Sequence, residues 1–234
     1  MTADKTAINE AMNEAPDKAN KLRASDVYRE NLQFWHQAWG MCTKPYTKMP
    51  ELEYLPWIPE RLKAASAERI LDLGCGSGWL SVFLAREGFK VTGIDVAGHA
   101  LDLGRQWAEM EGLNIKFDAG DLGDLPYADN SFDAVVANSI IEHLPLSLAL
   151  VAMSRLKSAV KPGGTFIGCF DKVGTGPGEY YKLEDGTQVY TDKSRKGMML
   201  RYFPDEEIRE LLTGWEVVEL KTLDSGSRFV VAHT

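Results

Sequence analysis

Ile70-Leu71-Asp72-Leu73-Gly74-Cys75-Gly76-Ser77-Gly78 begins as a short apolar run and breaks into three glycines spaced by one residue. Residues 69–73 read as a buried strand, 74–78 as a loop, and 79–87 as a helix stopped by Gly88, which suits a left-handed cap. Glycines at alternate positions let the backbone turn tightly and let a ligand come close to it. The free N–H groups that open the next helix point at the same place. Two other glycine-rich loops do not fit. In the dinucleotide pattern GxGxxG the last glycine would fall where Trp79 stands, and no Gly-Lys-Ser/Thr follows as a P-loop requires. The loop carries no lysine or arginine and Asp72 precedes it, so it favours a ligand without phosphates, a cationic one included.

Outward from this loop the chain alternates. Strands are expected at 90–94, 115–119, 132–137 and 165–170. Helices are expected at 99–111 and 146–160, the latter ending at Lys161-Pro162-Gly163-Gly164. Such alternation implies right-handed βαβ units and a parallel sheet covered on both faces, a Rossmann-like doubly wound α/β fold. The ending changes style. A short helix at 204–212 precedes β-rich segments 215–223 and 228–232, which flank Asp224-Ser225-Gly226-Ser227 and read as an antiparallel hairpin.

Two acids stand where strands end. Asp95 closes the second strand, at the spacing where nucleotide-binding α/β folds place an acceptor for ribose hydroxyls. Asp121 follows the third strand, where a carboxylate can accept from an adenine amine while Leu122 packs on the ring.

The 234 residues are 44% hydrophobic and 26% charged, an ordinary globular balance. The net charge of −8 disfavours broad binding to nucleic acid; Lys193, Arg195 and Lys196 form the one local basic run and read as a solvated face. No apolar run is long enough to span a bilayer, and the polar start lacks a signal peptide's apolar core, so a cytoplasmic protein is expected. Cys42, Cys75 and Cys169 are far apart, as are His36, His99, His143 and His233, so neither a disulfide framework nor a metal site is expected. Residues 1–24 read as a polar, mobile start that is part helix. Residues 25–60 form an aromatic helical lid or extension, and 61–234 the main domain, with an insertion at 171–203.

The set LDLGCGSG (71–78), VTGIDVA (91–97), AGDLGDLPYADNSFDAVVANSIIEHL (119–144) and VKPGG (160–164) resembles the class I S-adenosylmethionine-dependent methyltransferases. The resemblance implies a seven-stranded sheet with an antiparallel last strand, S-adenosylmethionine as cofactor and S-adenosylhomocysteine as product. It places Asp72, Gly74, Gly76 and Gly78 beside the methionine part, with Asn138 contacting the methionine end through its backbone carbonyl and Ser139 as its neighbour. It places Asp95 at the ribose, Asp121 and Leu122 at the adenine, and Val96 among the cofactor-binding residues. In FWHQAWG, Trp35 and Trp39 lie four apart on one helix face. They resemble a tryptophan pair that covers the cofactor in the thiopurine and tellurite methyltransferase group, and aromatic faces suit a sulfonium. Core packing explains the same pair equally well.

These features imply methyl transfer to a small-molecule O, N or S acceptor. RNA or protein methylation and a non-catalytic S-adenosylmethionine-binding subunit are the alternatives. The chain lacks the Asn/Asp-Pro-Pro-Tyr/Phe motif of many enzymes that methylate nucleobase or glutamine amino groups, since Asn138-Ser139-Ile140-Ile141 stands there. Asp171 fits one acid of a catechol-type Mg²⁺ site, but Asn138 replaces the other. His143 is the candidate general base. The recurrence of Glu-His-Leu among methyltransferases with unlike substrates favours a structural role for it. Tyr180, Tyr181 and Tyr202 are candidates for shaping an acceptor pocket or for packing within the insertion.

Overall fold

The computed structural model describes residues 5–174 and 177–234, with side chains from residue 13 onward. Helices α1 (Lys5–Arg23), α2 (Asp26–Gly40) and α3 (Trp57–Ala64) precede the alternating core. That core runs β1 (Arg69–Leu73), α4 (Trp79–Arg86), β2 (Lys90–Asp95), α5 (Gly98–Met110), β3 (Lys116–Ala119), β4 (Phe132–Asn138), α6 (Leu146–Ala159) and β5 (Val160–Phe170). Short strands β6 (Tyr180–Lys182), β7 (Gln188–Tyr190) and β8 (Met199–Leu200) follow, then α7 (Asp205–Leu211), β9 (Glu216–Thr222) and β10 (Arg228–His233).

Seven strands make one sheet in the order β3-β2-β1-β4-β5-β10-β9. The first five are parallel, and β10 runs antiparallel to both its neighbours, β5 and β9. The expected doubly wound sheet with an antiparallel last strand is therefore present. Strand order reverses between β1 and β4, and open α/β sheets bind ligands in the crevice at the carboxyl ends beside that switch.

Both faces are buried, as the continuous apolar strands require. Alternate side chains divide between two cores. Leu71, Leu73, Val135, Phe166 and Phe170 join the core covered by α1, α2, α6 and α7, while Ile70, Val136, Ile167 and Cys169 join the core under α3 and α4. The same alternation sends Asp72 toward α4, where its Oδ2 accepts from Ser81 Oγ at 2.6 Å.

Three segments differ from their sequence expectation. The polar start, expected as a mobile segment that is part helix, contains helix α1 docked on the domain with Ala15 and Ala19 buried, because small side chains on one face let it lie close. Strand β5 begins at Val160 rather than 165. Its Pro162-Gly163-Gly164 is a bulge, and the register against β4 slips between Phe132 and Ala134. The insertion folds into an antiparallel sheet, β6-β7-β8, whose strands of two or three residues are too short to show a period.

Candidate active site

Gly74 and Gly76 hold the loop after β1 in the left-handed region, with φ of 64° and 52°. A Cβ on Gly74 would fall 2.2 Å from Ile140 Cγ1, and one on Gly76 would fall 2.7 Å from the Trp39 ring. Both backbones thus face side chains across a gap that a methyl group would fill. Asp95, at the end of β2, fixes the loop: its Oδ2 accepts from Gly76 N at 2.9 Å and its Oδ1 from Ala97 N at 2.8 Å. Burial pushes its pKa up, and these backbone donors oppose the rise. A carboxylate has about four acceptor positions, so each oxygen retains one for a ligand.

Asp121 opens a short 3-10 turn, Leu122–Asp124, by accepting from Gly123 N at 2.8 Å. The same Oδ1 accepts from Tyr28 Oη at 2.6 Å, which joins α2 to the site. Ser25 caps α2 by accepting from Tyr28 N. Tyr28, Asn31, Leu32, Trp35 and Trp39 then form one stripe at helical spacing, and all five line the same cavity.

The opposite wall comes from the loop after β4. Ser139 adopts φ of 48°, unusual for a residue with a side chain, and its Oγ donates to Asp171 Oδ1 at 2.8 Å. His143 is half-buried, with Trp35 edge-on at 4.7 Å between ring centroids. Its Nδ1 lies 3.0 Å from the Met199 carbonyl. A carbonyl only accepts, so Nδ1 carries the proton and Nε2 is the basic nitrogen of the neutral ring. Burial lowers the His143 pKa, against the Met199 hydrogen bond and the Asp171 charge, and keeps the ring neutral at pH 7.

The cavity between these walls holds about 220 Å³. Of the residues expected from the sequence, it gathers Trp35, Trp39, Gly74, Gly76, Asp95, Val96, Asp121, Leu122, Ser139 and His143. No described lysine or arginine lines it. Three expected residues lie outside the lining. Asp72 is 2% exposed beneath α4, where burial raises its pKa to about 7. A Cβ on Gly78 would meet Phe117 at 2.9 Å, so that glycine serves the packing of α4 on α5 and β3. The Asn138 side chain accepts from Tyr54 Oη at 2.5 Å, on the side away from the cavity. Sequence reading missed Tyr28, Asn31, Leu32, Ile140 and Leu144 as lining residues. The first three continue the Trp35/Trp39 spacing, so that signal was available.

Glu142, beside His143, is 1% exposed, and its Oε2 has no partner. Oε1 accepts from the Asp171 backbone. Arg228, 4% exposed, donates to the Asp171 and Phe203 carbonyls and so pins both ends of the insertion. Burial pushes the Glu142 pKa up to about 8, with the Asp171 backbone hydrogen bond opposing. A raised folded-state pKa gives stability that is complete below the unfolded carboxyl value and is lost as pH rises toward 8. Glu142→Gln keeps an acceptor for the Asp171 N–H and cannot ionise. Its thermal stability should match the parent near pH 4.5 and exceed it increasingly up to pH 8, by about 1.4 kcal/mol per pH unit at most. Parallel melting curves from pH 5 to 9 check this; a constant difference would contradict the ionisation account.

The fold resembles that of solved S-adenosylmethionine-dependent methyltransferases. Residues 70–164 match a family described as "Methyltransferase domain". The chain is 28% identical over 148 residues to a ubiquinone biosynthesis O-methyltransferase of Coxiella burnetii, covering 63% of this chain and 59% of the relative. It is 30% identical over 151 residues to methyltransferase GfsG of Streptomyces halstedii, covering 63% and 53%. The chain thus spans little more than half the length of these relatives. The structure of the PH0226 protein from Pyrococcus horikoshii superposes with a TM-score of 0.67 at 21% identity, covering 84% of this chain and 98% of that one. The match to the methyltransferase domain is confined to residues 70–164, less than half of the chain, and the superposition shows the likeness of fold. Among the described residues, no helix is long and apolar enough to cross a membrane.

Proposed function

We propose that this protein transfers a methyl group from S-adenosylmethionine to a small-molecule acceptor, with a hydroxyl oxygen the first acceptor class to test. The observation that carries the reading is one cavity whose walls hold the Gly74/Gly76 cradle, two acids with spare acceptor positions, two indoles and a neutral histidine. These groups fit S-adenosylmethionine. Gly74, Gly76 and Ser139 would face its methionine part, Asp95 and Val96 the ribose, and Asp121 and Leu122 the adenine. Trp35 and Trp39 would lie against the cationic region. Oxygen is favoured because the Coxiella relative is named an O-methyltransferase.

When bound, the cofactor supplies an electrophilic methyl group on a sulfonium. The protein's contribution is alignment, exclusion of water and proton acceptance. Helix α2 and the residues after it, 25–60, act as the lid that closes the cavity from above, on the main domain 61–234. His143 Nε2 takes the acceptor's hydroxyl proton while Nδ1–H stays on the Met199 carbonyl. A cytoplasmic setting suits a small polar cofactor and the absence of a spanning helix among the described residues.

The test is incubation with S-adenosylmethionine and panels of phenols, thiols and amines, followed by mass spectrometry of the acceptors. A mass gain of one methyl on phenols ahead of the other panels is expected. Gain on thiols or amines alone would overturn the oxygen assignment.

A further inference from the structure

Helix α2 reaches His143 by two routes. One is direct: the Trp35 ring lies edge-on to the imidazole. The other runs through the insertion. Asn31, 3% exposed and one turn before Trp35, donates from Nδ2 to the Gly197 carbonyl at 3.1 Å. Gly197 has φ of 87°, and a Cβ there would sit 2.7 Å from the Glu30 carbonyl oxygen. The insertion therefore lies backbone-to-backbone on α2, with no room for a side chain between them. From that anchor the chain is hydrogen-bonded back to β7. Gly197 N donates to Tyr190 O at 2.9 Å, and Tyr190 N to Met198 O at 2.9 Å. The next residue, fully buried Met199, offers the carbonyl that receives the His143 Nδ1–H.

We infer that Asn31 is a positioning residue that acts through Gly197–Met199 to keep His143 protonated on Nδ1, leaving Nε2 as the proton acceptor. The inference rests on the methyl-transfer reading in which His143 is the base. Which ring nitrogen carries the proton is set by the partner of the other. Among the described residues only the Met199 carbonyl demands Nδ1–H, so anything that moves that carbonyl releases the ring to the other tautomer. The charged group acting on the ring is the Asp171 carboxylate, itself held by Ser139 Oγ, and it does not distinguish the two nitrogens by a hydrogen bond among the described residues. Trp35 presents no acceptor. Because Tyr28 of the same helix holds Asp121, α2 also ties the adenine end of the proposed site to the histidine.

The test uses the full chain labelled with ¹⁵N-histidine and long-range ¹H–¹⁵N correlation spectra, which distinguish the tautomers without any acceptor. The chain has four histidines, and His143 is assigned by its loss in His143→Asn. The parent should show the Nδ1–H pattern for His143. Asn31→Leu, which keeps bulk and removes the donor, should shift His143 toward the Nε2–H pattern. Gly197→Ala, which forces the insertion off α2, should do the same if Asn31→Leu fails to fold. Circular dichroism confirms folding of each. An Nε2–H pattern in the parent, or an unchanged His143 pattern in a folded variant, would overturn the inference. Calorimetry of the parent with S-adenosylmethionine runs alongside. Absent heat there would defeat the methyl-transfer reading, whereas binding with an unmoved His143 would defeat the positioning role alone.

Discussion

Asp95→Ala is expected to weaken S-adenosylmethionine binding by roughly 100-fold while the protein stays folded. The side chain has two tasks. Its oxygens hold the Gly76 and Ala97 amides, and their remaining acceptor positions face the cavity for the ribose hydroxyls. Hydrogen bonds to a charged group contribute about 1.5–3 kcal/mol each, and about 1.4 kcal/mol is tenfold in affinity, so losing two gives at least that factor. The freed Gly76 amide lies beside the cavity and can turn to water, which limits the cost in stability. Asp95→Asn keeps one accepting oxygen and should fall between parent and alanine variant. Calorimetry with circular dichroism as the folding control reads both. Unchanged affinity in a folded alanine variant would move the ribose site away from β2.

His143→Ala should lower turnover by about 10²–10⁴-fold, the usual contribution of a positioned base, with S-adenosylmethionine affinity little changed. The competing role is structural, since Nδ1 holds the Met199 carbonyl. His143→Asn separates them. The asparagine amide can donate where Nδ1 does, but it offers no basic nitrogen. Turnover lost in both variants assigns the base role; turnover restored by asparagine assigns the structural one. Burial lowers the His143 pKa, so the acid limb of kcat/KM should turn below the ordinary imidazole value of 6.5 and be flat at neutral pH. A limb that turns at or above 6.5 would contradict that environment.

What the sequence disclosed follows from the range of the interactions involved. The β1–loop–α4 unit is local: an apolar run, then glycines whose positive φ values only glycine adopts readily, then a helix. Asp95 and Asp121 reach the cavity because they stand at the ends of strands, and strand ends in a doubly wound sheet meet at one edge. Asp72 and Asn138 also stand near strand ends, but their side chains lie outside the cavity lining, because a strand's alternation sends neighbouring side chains to opposite faces. Asp72 faces α4 and Asn138 faces Tyr54. Gly78 looked like part of the cradle, yet its neighbours are Phe117 and Gly104, which tertiary packing alone brings there. Asn31 and Gly197 are 166 residues apart, and no local pattern joins them. Strands β6 to β8 escaped notice because two or three residues show no period, while Arg228, far along the chain, closes the insertion they form.

The most direct measurement is calorimetric titration of the unmodified protein with S-adenosylmethionine, S-adenosylhomocysteine and NAD under one set of conditions. Saturable one-to-one binding of the first two, and none of NAD, is the predicted result. Binding of NAD in their place would contradict the account, and so would no binding of either sulfur compound by the folded protein.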